Sequence, residues 1–312
     1  MKHKLLGILK GLVLVCLLHC TVVVKATWKE QNNGIEINGL KDKLSVMFVN
    51  DDVVRVRYVP EGEFVENETN ILVDSRPLKV NVRCRENEEH IMMQSDKLIV
   101  KISKRSGAVS FYDNEGRLLL SENKTLPRSA EKVEIRNVVY DDTNSVIEKT
   151  ANGDVKVSNI VSEQSIGNAW KAKVNYEWQE GEALYGLGSH QEPNYNLRGT
   201  MQYLYQHNLK ATVPVLMSSL GYGLLFNVGS TMEFHDDKDG SYMQMNAVNS
   251  VDYIFMYGPE FDMIVDEYRT LTGKVPMLPR YMLGYVQSKE RYANPHDIDS
   301  VLTRFRQMQI PI

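Results

Sequence analysis

The sequence predicts a mainly β protein: a large antiparallel β-sandwich followed by the first βα unit of a truncated (β/α)₈ barrel. Three observations support this fold class. Short apolar segments of strand length, separated by turn residues, fill residues 28–257, which is typical of a sandwich. The apolar period then changes to that of a helix after residue 258. Finally, an apolar run at 281–286 leads directly into a polar cluster and a second helix, which is how a β/α barrel begins.

Strands are predicted wherever apolar and polar residues alternate. Val54, Val56 and Tyr58 alternate with Arg55 and Arg57, so one face of this strand is buried and the other is wet. The same period recurs at 172–178, and the apolar runs at 224–226 and 253–257 indicate further strands. Residues 140–165 are polar and weakly patterned, and we expect a long loop or excursion there.

Two helices are predicted near the C-terminal end. Apolar residues at positions 261, 264, 265, 268 and 271 share one helix face, with Pro259 near its first turn and Gly273 after its end. Residues 274–279 contain two prolines and are predicted to be a rigid linker. For the second helix, Asn294 is the expected N-cap, Pro295 suits the first helical position, and apolar residues between 298 and 308 form one face.

The N-terminal segment has the pattern of a secretory signal peptide. A basic start is followed by a mostly apolar stretch at 5–24, interrupted by Lys10, and by a small residue at Ala26. A membrane anchor is less favoured because Lys10 and His19 would lie inside the span. A lipid anchor at Cys20 is also less favoured, because His19 is a poor residue directly before a lipidated cysteine. We therefore expect cleavage near Thr27 and a secreted or periplasmic protein with no membrane span after cleavage.

The sequence thus divides into four predicted segments: a signal peptide at 1–26, a β-sandwich domain at 27–258, a connecting helix and linker at 259–279, and a barrel start at 280–312.

The formal net charge of −4 and the lack of a basic stripe argue against a nucleic-acid partner. Only Cys84 lies outside the predicted leader, so no internal disulfide can form, and no Cys/His cluster has zinc spacing.

Five stretches together resemble one enzyme family. They are LYGLGSH at 184–190, NLRGTMQYLYQ at 196–206, PVLMSSLGYGLLF at 214–226, YRTLTGKVPMLPR at 268–280 and GYVQSKERY at 284–292. Their order and spacing resemble glycoside hydrolase family 31. The resemblance implies a galactose mutarotase-like sandwich before a catalytic (β/α)₈ barrel. It also implies retaining cleavage of α-linked glucosides, xylosides or related sugars by two aspartates, without a cofactor.

The resemblance places both catalytic aspartates on barrel strands beyond Ile312, so no residue of this chain is assigned a catalytic role. We therefore expect the chain alone to lack turnover. The resemblance also implies that the partner is an α-linked oligosaccharide or glycoside. It leaves open which sugar is cleaved, whether the reaction is hydrolysis or transglycosylation, and what the oligomeric state is. The acids of the first predicted helix, such as Asp262 and Asp266, are interpreted as a solvated face.

Candidate substrate-binding residues also follow from the resemblance. His190, Asn196 and Arg198 fall in the segment that the family sends over its barrel mouth, and Gln287 and Arg291 would line that mouth. Two of them have a simpler alternative. Arg198 could equally pair with an acid of the sandwich. His190 could be structural, because nothing in the sequence supplies it with a nucleophile partner.

Aromatic residues form a second candidate set. Tyr203, Tyr205 and Trp178 have the chemistry to stack on sugar rings, although aromatics that alternate along strands more often belong to a core. Two functions therefore remain open at this point. One is the N-terminal part of a secreted retaining α-glycosidase, and the other is a non-catalytic β-sandwich that binds carbohydrate or has a structural role.

Overall fold

Two antiparallel β-sheets form the body of the protein, as the alternating sequence pattern predicts. The computed structural model describes residues 27–39, 41–65, 71–73, 79–150, 153–191 and 194–311. The predicted signal peptide at 1–26, with Cys20, lies outside the described residues. No helix within the described part is long and apolar enough to cross a bilayer.

The described strands, in chain order, are β1 (Thr27–Gln31), β2 (Gly34–Asn38), β3 (Lys43–Phe48), β4 (Val53–Val59), β5 (Arg83–Glu86), β6 (His90–Gln94), β7 (Leu98–Ser103), β8 (Val109–Asp113), β9 (Leu118–Glu122), β10 (Arg128–Thr150), β11 (Gly153–Glu177), β12 (Leu184–Ser189), β13 (Met201–Leu204), β14 (Ala211–Ser218), β15 (Tyr222–Phe226), β16 (Met232–Asp237), β17 (Gly240–Val248) and β18 (Val251–Tyr257). Two α-helices, α1 (Phe261–Thr272) and α2 (Pro295–Gln307), and a 3₁₀ turn (Arg280–Leu283) follow.

The first sheet has eight strands in the order β1-β2-β3-β4-β18-β15-β14-β12. The second has the path β13-β16-β17-β11-β9-β8-β7-β6-β5, with β10 paired to β11. The neighbouring strands β4 and β18 are about 200 residues apart in sequence. The first sheet is therefore complete only after β18, the last strand of the sandwich, has paired with β4.

Large aromatic side chains fill the space between the sheets. Phe111 on β8 and Phe255 on β18 stack with ring centroids 4.1 Å apart and planes 3° apart. Tyr222 stacks on Phe255 at 5.4 Å, and all three side chains are fully buried. Burial of each such side chain stabilises the fold by about 1.5–3 kcal/mol.

Helix α1 covers the opposite face of the first sheet. Successive residues of a strand point to opposite faces, so Phe255 points into the sandwich while Ile254 and Met256 point out. Ile264 and Leu271 of α1 are buried against that outer face. The predicted helix is thus confirmed, and its packing explains why β18 reads as a continuous apolar run.

A buried ion pair of the second sheet lies in the sandwich core. The guanidinium of Arg128 donates from Nη1 to both carboxylate oxygens of Glu122, at 2.7 and 2.6 Å. The hydroxyl of Tyr253 and the backbone N–H of Val109 donate to the same carboxylate. Burial raises the pKa of Glu122, and Arg128 and these hydrogen bonds oppose that rise. The hydrogen bonds satisfy a charge that is otherwise expensive to bury.

Of the two alternatives predicted for residues 140–165, the loop is wrong and the excursion is confirmed, in the form of two paired strands. Strands β10 and β11 pair with each other from Arg128↔Val174 to Thr150↔Gly153 and form a long two-stranded ribbon. Three register shifts interrupt the pairing, and each shift moves side chains to the other face. The apolar residues therefore follow no steady period of two, and the sequence pattern is hidden.

The strand predicted at 281–286 is not formed among the described residues. Residues 280–283 form a 3₁₀ turn, and the chain from 284 to 294 carries no regular structure. Tyr281, Leu283 and Val286 are about three-quarters exposed. An apolar run can become a buried strand only where neighbouring strands accept its backbone hydrogen bonds, and none lies beside it in the described part.

Helix α2 confirms the second helix prediction. The Asn294 side chain accepts a hydrogen bond from the backbone N–H of Asp297 at 3.2 Å, and Pro295 takes the first position. Its apolar face is incompletely covered: Ile298 is 47% exposed. The predicted start of a barrel is therefore not confirmed: the described residues after 280 form a 3₁₀ turn, an exposed apolar segment and one helix.

Candidate functional site

Strand β12 begins with a sharp irregularity at the LYGLG segment. Gly186, Leu187 and Gly188 have positive φ angles of 108°, 60° and 98° in succession. The register with β14 shifts between Gly186 and Gly188, which defines a β-bulge that bends the strand. Leu187 is fully buried in spite of its left-handed conformation. Its packing therefore offsets the strain and fixes the direction in which the chain leaves β12.

Both glycines are required by close contact as well as by φ. A Cβ on Gly188 would lie 2.0 Å from the carbonyl oxygen of Ala211, and one on Gly186 would lie 2.4 Å from that of Val215. These contacts are with the backbone of the neighbouring strand β14, which cannot move without breaking the ladder. The bulge thus depends on the sequence Gly-Leu-Gly.

His190 follows the bulge and is held by it. Its Nε2 lies 2.8 Å from the carbonyl oxygen of Leu187. Because a carbonyl can only accept, Nε2 carries the proton and donates. Nδ1 is then an acceptor, and it is buried without a hydrogen-bond partner in the described structure. A ligand hydroxyl would reach this buried acceptor only after the His190 side chain or its loop has moved.

Asn196 closes the loop that follows His190. Its Oδ1 accepts hydrogen bonds from the backbone N–H groups of Leu184 and Arg198, at 3.0 and 3.1 Å. The backbone N–H of Leu197 also donates to the carbonyl of Leu184, at 2.8 Å. The Asn196 amide oxygen therefore ties the returning chain to the start of β12, and these contacts give it a structural role.

Arg198 holds the loop to strand β16. Its Nε donates to Oδ2 of Asp236 at 2.7 Å, and its Nη1 donates to the carbonyl oxygens of Gln179 and Glu182, both at 3.0 Å. The structure thus shows the pairing with a sandwich acid that the sequence left open. Substrate binding by Arg198 remains a prediction.

Three hydrogen-bond donors keep the Asp236 carboxyl group ionised. Burial acts to raise its pKa, but hydrogen bonds from Ser241, from the backbone N–H of Gly199 and from Arg198 outweigh that effect and hold the pKa below its ordinary value. Ser241 donates at 2.6 Å and Gly199 at 3.0 Å. A carboxylate with three donors is a firm anchor for the Arg198 guanidinium.

A buried glutamate fixes the turn that Arg198 reaches. Glu182 is 4% exposed and accepts hydrogen bonds from the hydroxyls of Ser218 and Tyr222. It also accepts from the backbone N–H of Gln179 at 2.7 Å. The carbonyls of Gln179 and Glu182 are therefore held in place. The Arg198 guanidinium donates to oxygens whose positions are already fixed.

The five predicted site residues divide into two groups. His190, Asn196 and Arg198 lie together on the loop between β12 and β13. Gln287 and Arg291 lie in the exposed segment after the 3₁₀ turn, where the Gln287 side chain accepts from the Tyr285 hydroxyl at 3.1 Å. Gln287 also lines an apolar groove of about 310 Å³ against α2.

The structure places the two tyrosines of the second candidate set side by side and adds His207, which sequence reasoning missed. Tyr203 and Tyr205 are 41% and 49% exposed, with ring centroids 6.0 Å apart, and His207 continues the series 5.9 Å further on. Trp178 instead packs against the core and stacks on Tyr176 at 4.8 Å. The signal available in the sequence was the spacing of Tyr203, Tyr205 and His207 at every second position, although only Tyr203 lies within β13.

Comparison with known protein families identifies the family to which this fold belongs. The model of the glycosyl hydrolase 31 N-terminal galactose mutarotase-like domain matches residues 43–235. This range contains the glycine bulge, the loop with His190 and Arg198, and most of both sheets. The chain belongs to glycoside hydrolase family 31.

Similar curated proteins are longer glycosidases. An α-xylosidase of Saccharolobus solfataricus is 27% identical over 279 residues, which cover 86% of this chain and 33% of that protein. An α-glucosidase of Bacillus thermoamyloliquefaciens is 25% identical over 272 residues, which cover 86% of this chain and 31% of the relative. The chain thus spans about a third of the length of these relatives.

Solved structures show the same fold. A family 31 α-xylosidase from a soil metagenome, solved with xylose, has a TM-score of 0.70 at 24% identity and covers 92% of this chain and 40% of its own. A family 31 dextranase of Flavobacterium johnsoniae, solved with glucose, has a TM-score of 0.69 at 21% identity, over 91% of this chain and 32% of its own. At these identities the likeness establishes the fold alone.

Proposed function

We propose that this chain is the N-terminal part of a secreted retaining α-glycosidase that hydrolyses O-glycosyl bonds of α-linked glucosides, xylosides or related sugars. The observation that carries the proposal is the match of residues 43–235 to the family's N-terminal domain. The named activities of the similar proteins, α-xylosidase and α-glucosidase, supply the substrate class. The sandwich has a positioning role in this proposal, and chemistry takes place on a barrel.

The loop built on the glycine bulge is the part of this chain proposed to meet the sugar. His190 has an acceptor at Nδ1 without a hydrogen-bond partner, which is buried and which a movement of the side chain would open to the sugar. The loop behind it is fixed by Asn196 and by the Arg198–Asp236 ion pair. A rigid loop loses little conformational entropy on binding. We assign His190 the direct contact with a hydroxyl group of the sugar, and Arg198 the task of holding the loop.

Residues 280–312 are proposed as the start of the catalytic barrel. The apolar run at 281–286 and the apolar face of α2 are exposed in the described structure. Both would be buried once further parallel strands lie beside them. Gln287 and Arg291, directly after the run, would then lie at the mouth of the barrel.

A retaining glycosidase needs two carboxyl groups about 5–5.5 Å apart across the scissile bond, and the family resemblance assigns neither to this chain. We therefore propose that the chain alone has no turnover. Sequencing the gene beyond codon 312 tests the assignment. Barrel strands with an aspartate soon after Ile312 are expected, whereas an in-frame stop codon directly after Ile312 would contradict it.

Export is proposed from the sequence of residues 1–26. The four lysines of this leader would leave with it, which makes the mature protein more negative than the formal charge of −4. N-terminal sequencing of secreted material should give a start near Thr27. An intact Met1 in a soluble cytoplasmic protein would contradict the proposal.

A second candidate, a non-catalytic carbohydrate-binding sandwich, is favoured by the exposed series of Tyr203, Tyr205 and His207. Aromatic rings offer large, rigid apolar faces to sugar rings. Titration calorimetry with maltotriose and a xylo-oligosaccharide distinguishes the candidates. Binding by the chain alone that is lost in Tyr203→Ala/Tyr205→Ala would support the second candidate; the absence of binding would leave the first.

A further inference from the structure

The turn between β16 and β17 brings together three side chains with metal-binding chemistry. His235 lies on β16, Asp237 ends that strand, and Asp239 lies in the turn. One ligand atom from each residue can be chosen so that all three atoms lie within 4.8 Å of one another. Glu233, two residues before His235, lies on the same face of the strand.

The imidazole of His235 has a carboxylate at each ring nitrogen. Nδ1 lies 3.3 Å from Oδ2 and 3.4 Å from Oδ1 of Asp237, and Nε2 lies 3.7 Å from Oε2 of Glu233. All these distances are long for a hydrogen bond to a charged oxygen, which is typically about 2.7–2.9 Å. Two ligands of one tetrahedral zinc ion, each about 2.0–2.1 Å from it, lie about 3.3 Å apart. The Nδ1–Asp237 distance matches that separation.

The surroundings hold the imidazole in place for such a role. His235 is 8% exposed, and its ring stacks on Tyr242 of β17 with centroids 4.5 Å apart. The Glu233 carboxylate on the far side of the ring is placed as the partner that metal-bound histidines have at their second nitrogen. Asn246 donates to Glu233 at 3.3 Å and helps to orient it.

The local charge also favours a cation. Glu233, Asp237 and Asp239 bring three carboxylates to this face, and Lys238 is the basic residue of the turn itself.

We propose that His235 Nδ1, Asp237 and Asp239 bind one zinc ion, with Glu233 as the outer partner of His235. An imidazole nitrogen with two carboxylates suits zinc better than calcium or magnesium, which prefer oxygen ligands alone. The ion would hold the β16–β17 turn closed. Asp236, the anchor of Arg198, lies between two of the ligating residues in sequence, so the ion would also stabilise the loop that carries His190.

Calorimetric titration of chelator-treated protein with Zn²⁺ tests the proposal. One site per chain and a higher thermal midpoint are expected. Asp239→Asn, on the exposed turn, should weaken Zn²⁺ binding by about tenfold or more while the apo protein stays folded. Asp154→Asn, an exposed acid on the β10–β11 ribbon, is the matched control and should bind as the parent does.

Co²⁺ provides a second readout. Bound in place of zinc, it should give the visible absorption of a nitrogen- and oxygen-ligated tetrahedral ion, and His235→Gln should remove it. The proposal is overturned if Zn²⁺ binding is absent, if Asp239→Asn binds like the parent, or if Ca²⁺ binds as tightly as Zn²⁺. The assay does not use sugar, so its outcome is separate from that of the glycosidase assignment.

Discussion

Arg198 and Asp236 join the loop after the glycine bulge to the second sheet. The bond from Arg198 Nε to Asp236 Oδ2 is 2.7 Å long, and the same oxygen accepts the backbone N–H of Gly199 at 3.0 Å. Asp236 lies on β16 of the ten-stranded sheet, whereas the bulge lies on β12 of the eight-stranded sheet. The pair therefore fixes the candidate sugar-contacting loop to both halves of the sandwich.

Replacing the carboxylate tests this anchor. We expect Asp236→Asn to lower the free energy of unfolding by about 1–3 kcal/mol, because the hydrogen bonds to a charged, largely buried acceptor are weakened. Urea unfolding monitored by fluorescence measures the change. Asp96→Asn is the matched control: its pairing with Arg83 is exposed and 3.9 Å long, so a loss of at most about 0.5 kcal/mol is expected.

The same variant has a defined pH dependence. Hydrogen bonds from Ser241, Gly199 and Arg198 outweigh burial and lower the pKa of Asp236 in the folded state. Its contribution to stability is therefore present above the unfolded pKa of about 3.9 and is lost as pH falls through the lower folded value. The deficit of Asp236→Asn should be largest near neutral pH and should shrink below about pH 4. A deficit that grows on acidification would contradict this reading.

The glycine bulge provides a pair of substitutions with different physical causes. In Gly188→Ala, a Cβ 2.0 Å from the Ala211 carbonyl oxygen adds a clash with the backbone to the strain of a positive φ. In Gly199→Ala, φ is 75° but no atom lies within 4 Å, so only the strain remains, about 1–2 kcal/mol. We expect Gly188→Ala to lose clearly more stability than Gly199→Ala in urea unfolding. Equal losses would mean that β14 moves away without cost.

The buried ion pair should show strong coupling. Glu122→Gln leaves the Arg128 guanidinium without its charge partner in the core, and we expect a loss of about 3–5 kcal/mol. Glu122→Gln/Arg128→Met removes the uncompensated charge as well, so the double variant should lose less than the sum of the single losses. Urea unfolding of all four proteins gives the coupling free energy. Additive losses would show that the two groups do not depend on each other.

Limited proteolysis tests the boundary after α1. Met277 is 96% exposed and Val275 is 72% exposed, whereas Leu271 at the end of α1 is 3% exposed. We expect rapid cleavage within residues 274–293 and a resistant core that ends near 273–280, identified by mass spectrometry. A tail protected as well as the sandwich, in a monomer, would show that it docks on the sandwich and that the boundary is wrong.

The sequence predicted the elements whose apolar period is regular. Strand β4, helix α1 and the capped start of α2 all follow from such a period, together with Pro295 and Asn294. The β10–β11 ribbon was missed because register shifts move its side chains between faces. The run at 281–286 has the composition of a buried strand, but a strand also depends on neighbours, and composition alone does not supply them.

The candidate site was predictable in part. The Gly-Leu-Gly sequence and the position of His190 could be read directly, and the partnership of Arg198 with a sandwich acid was one of two open alternatives. Which acid it pairs with was not predictable, because Asp236 lies 38 residues further along the chain. The set of His235, Asp237 and Asp239 was missed because it contains one histidine and two carboxylates and does not have the spacing of a Cys/His zinc cluster. These three residues alternate along strand β16 and the turn that follows it.

The most direct test of the proposed function is the activity of the purified 312-residue chain on aryl α-glucosides, α-xylosides and α-galactosides. We expect no turnover above the uncatalysed rate, because the family resemblance assigns neither carboxyl group required for retaining hydrolysis to the sandwich, α1 or α2. Reproducible turnover that is abolished by substituting an acid within residues 27–312 would contradict it, and would place the catalytic site on this chain.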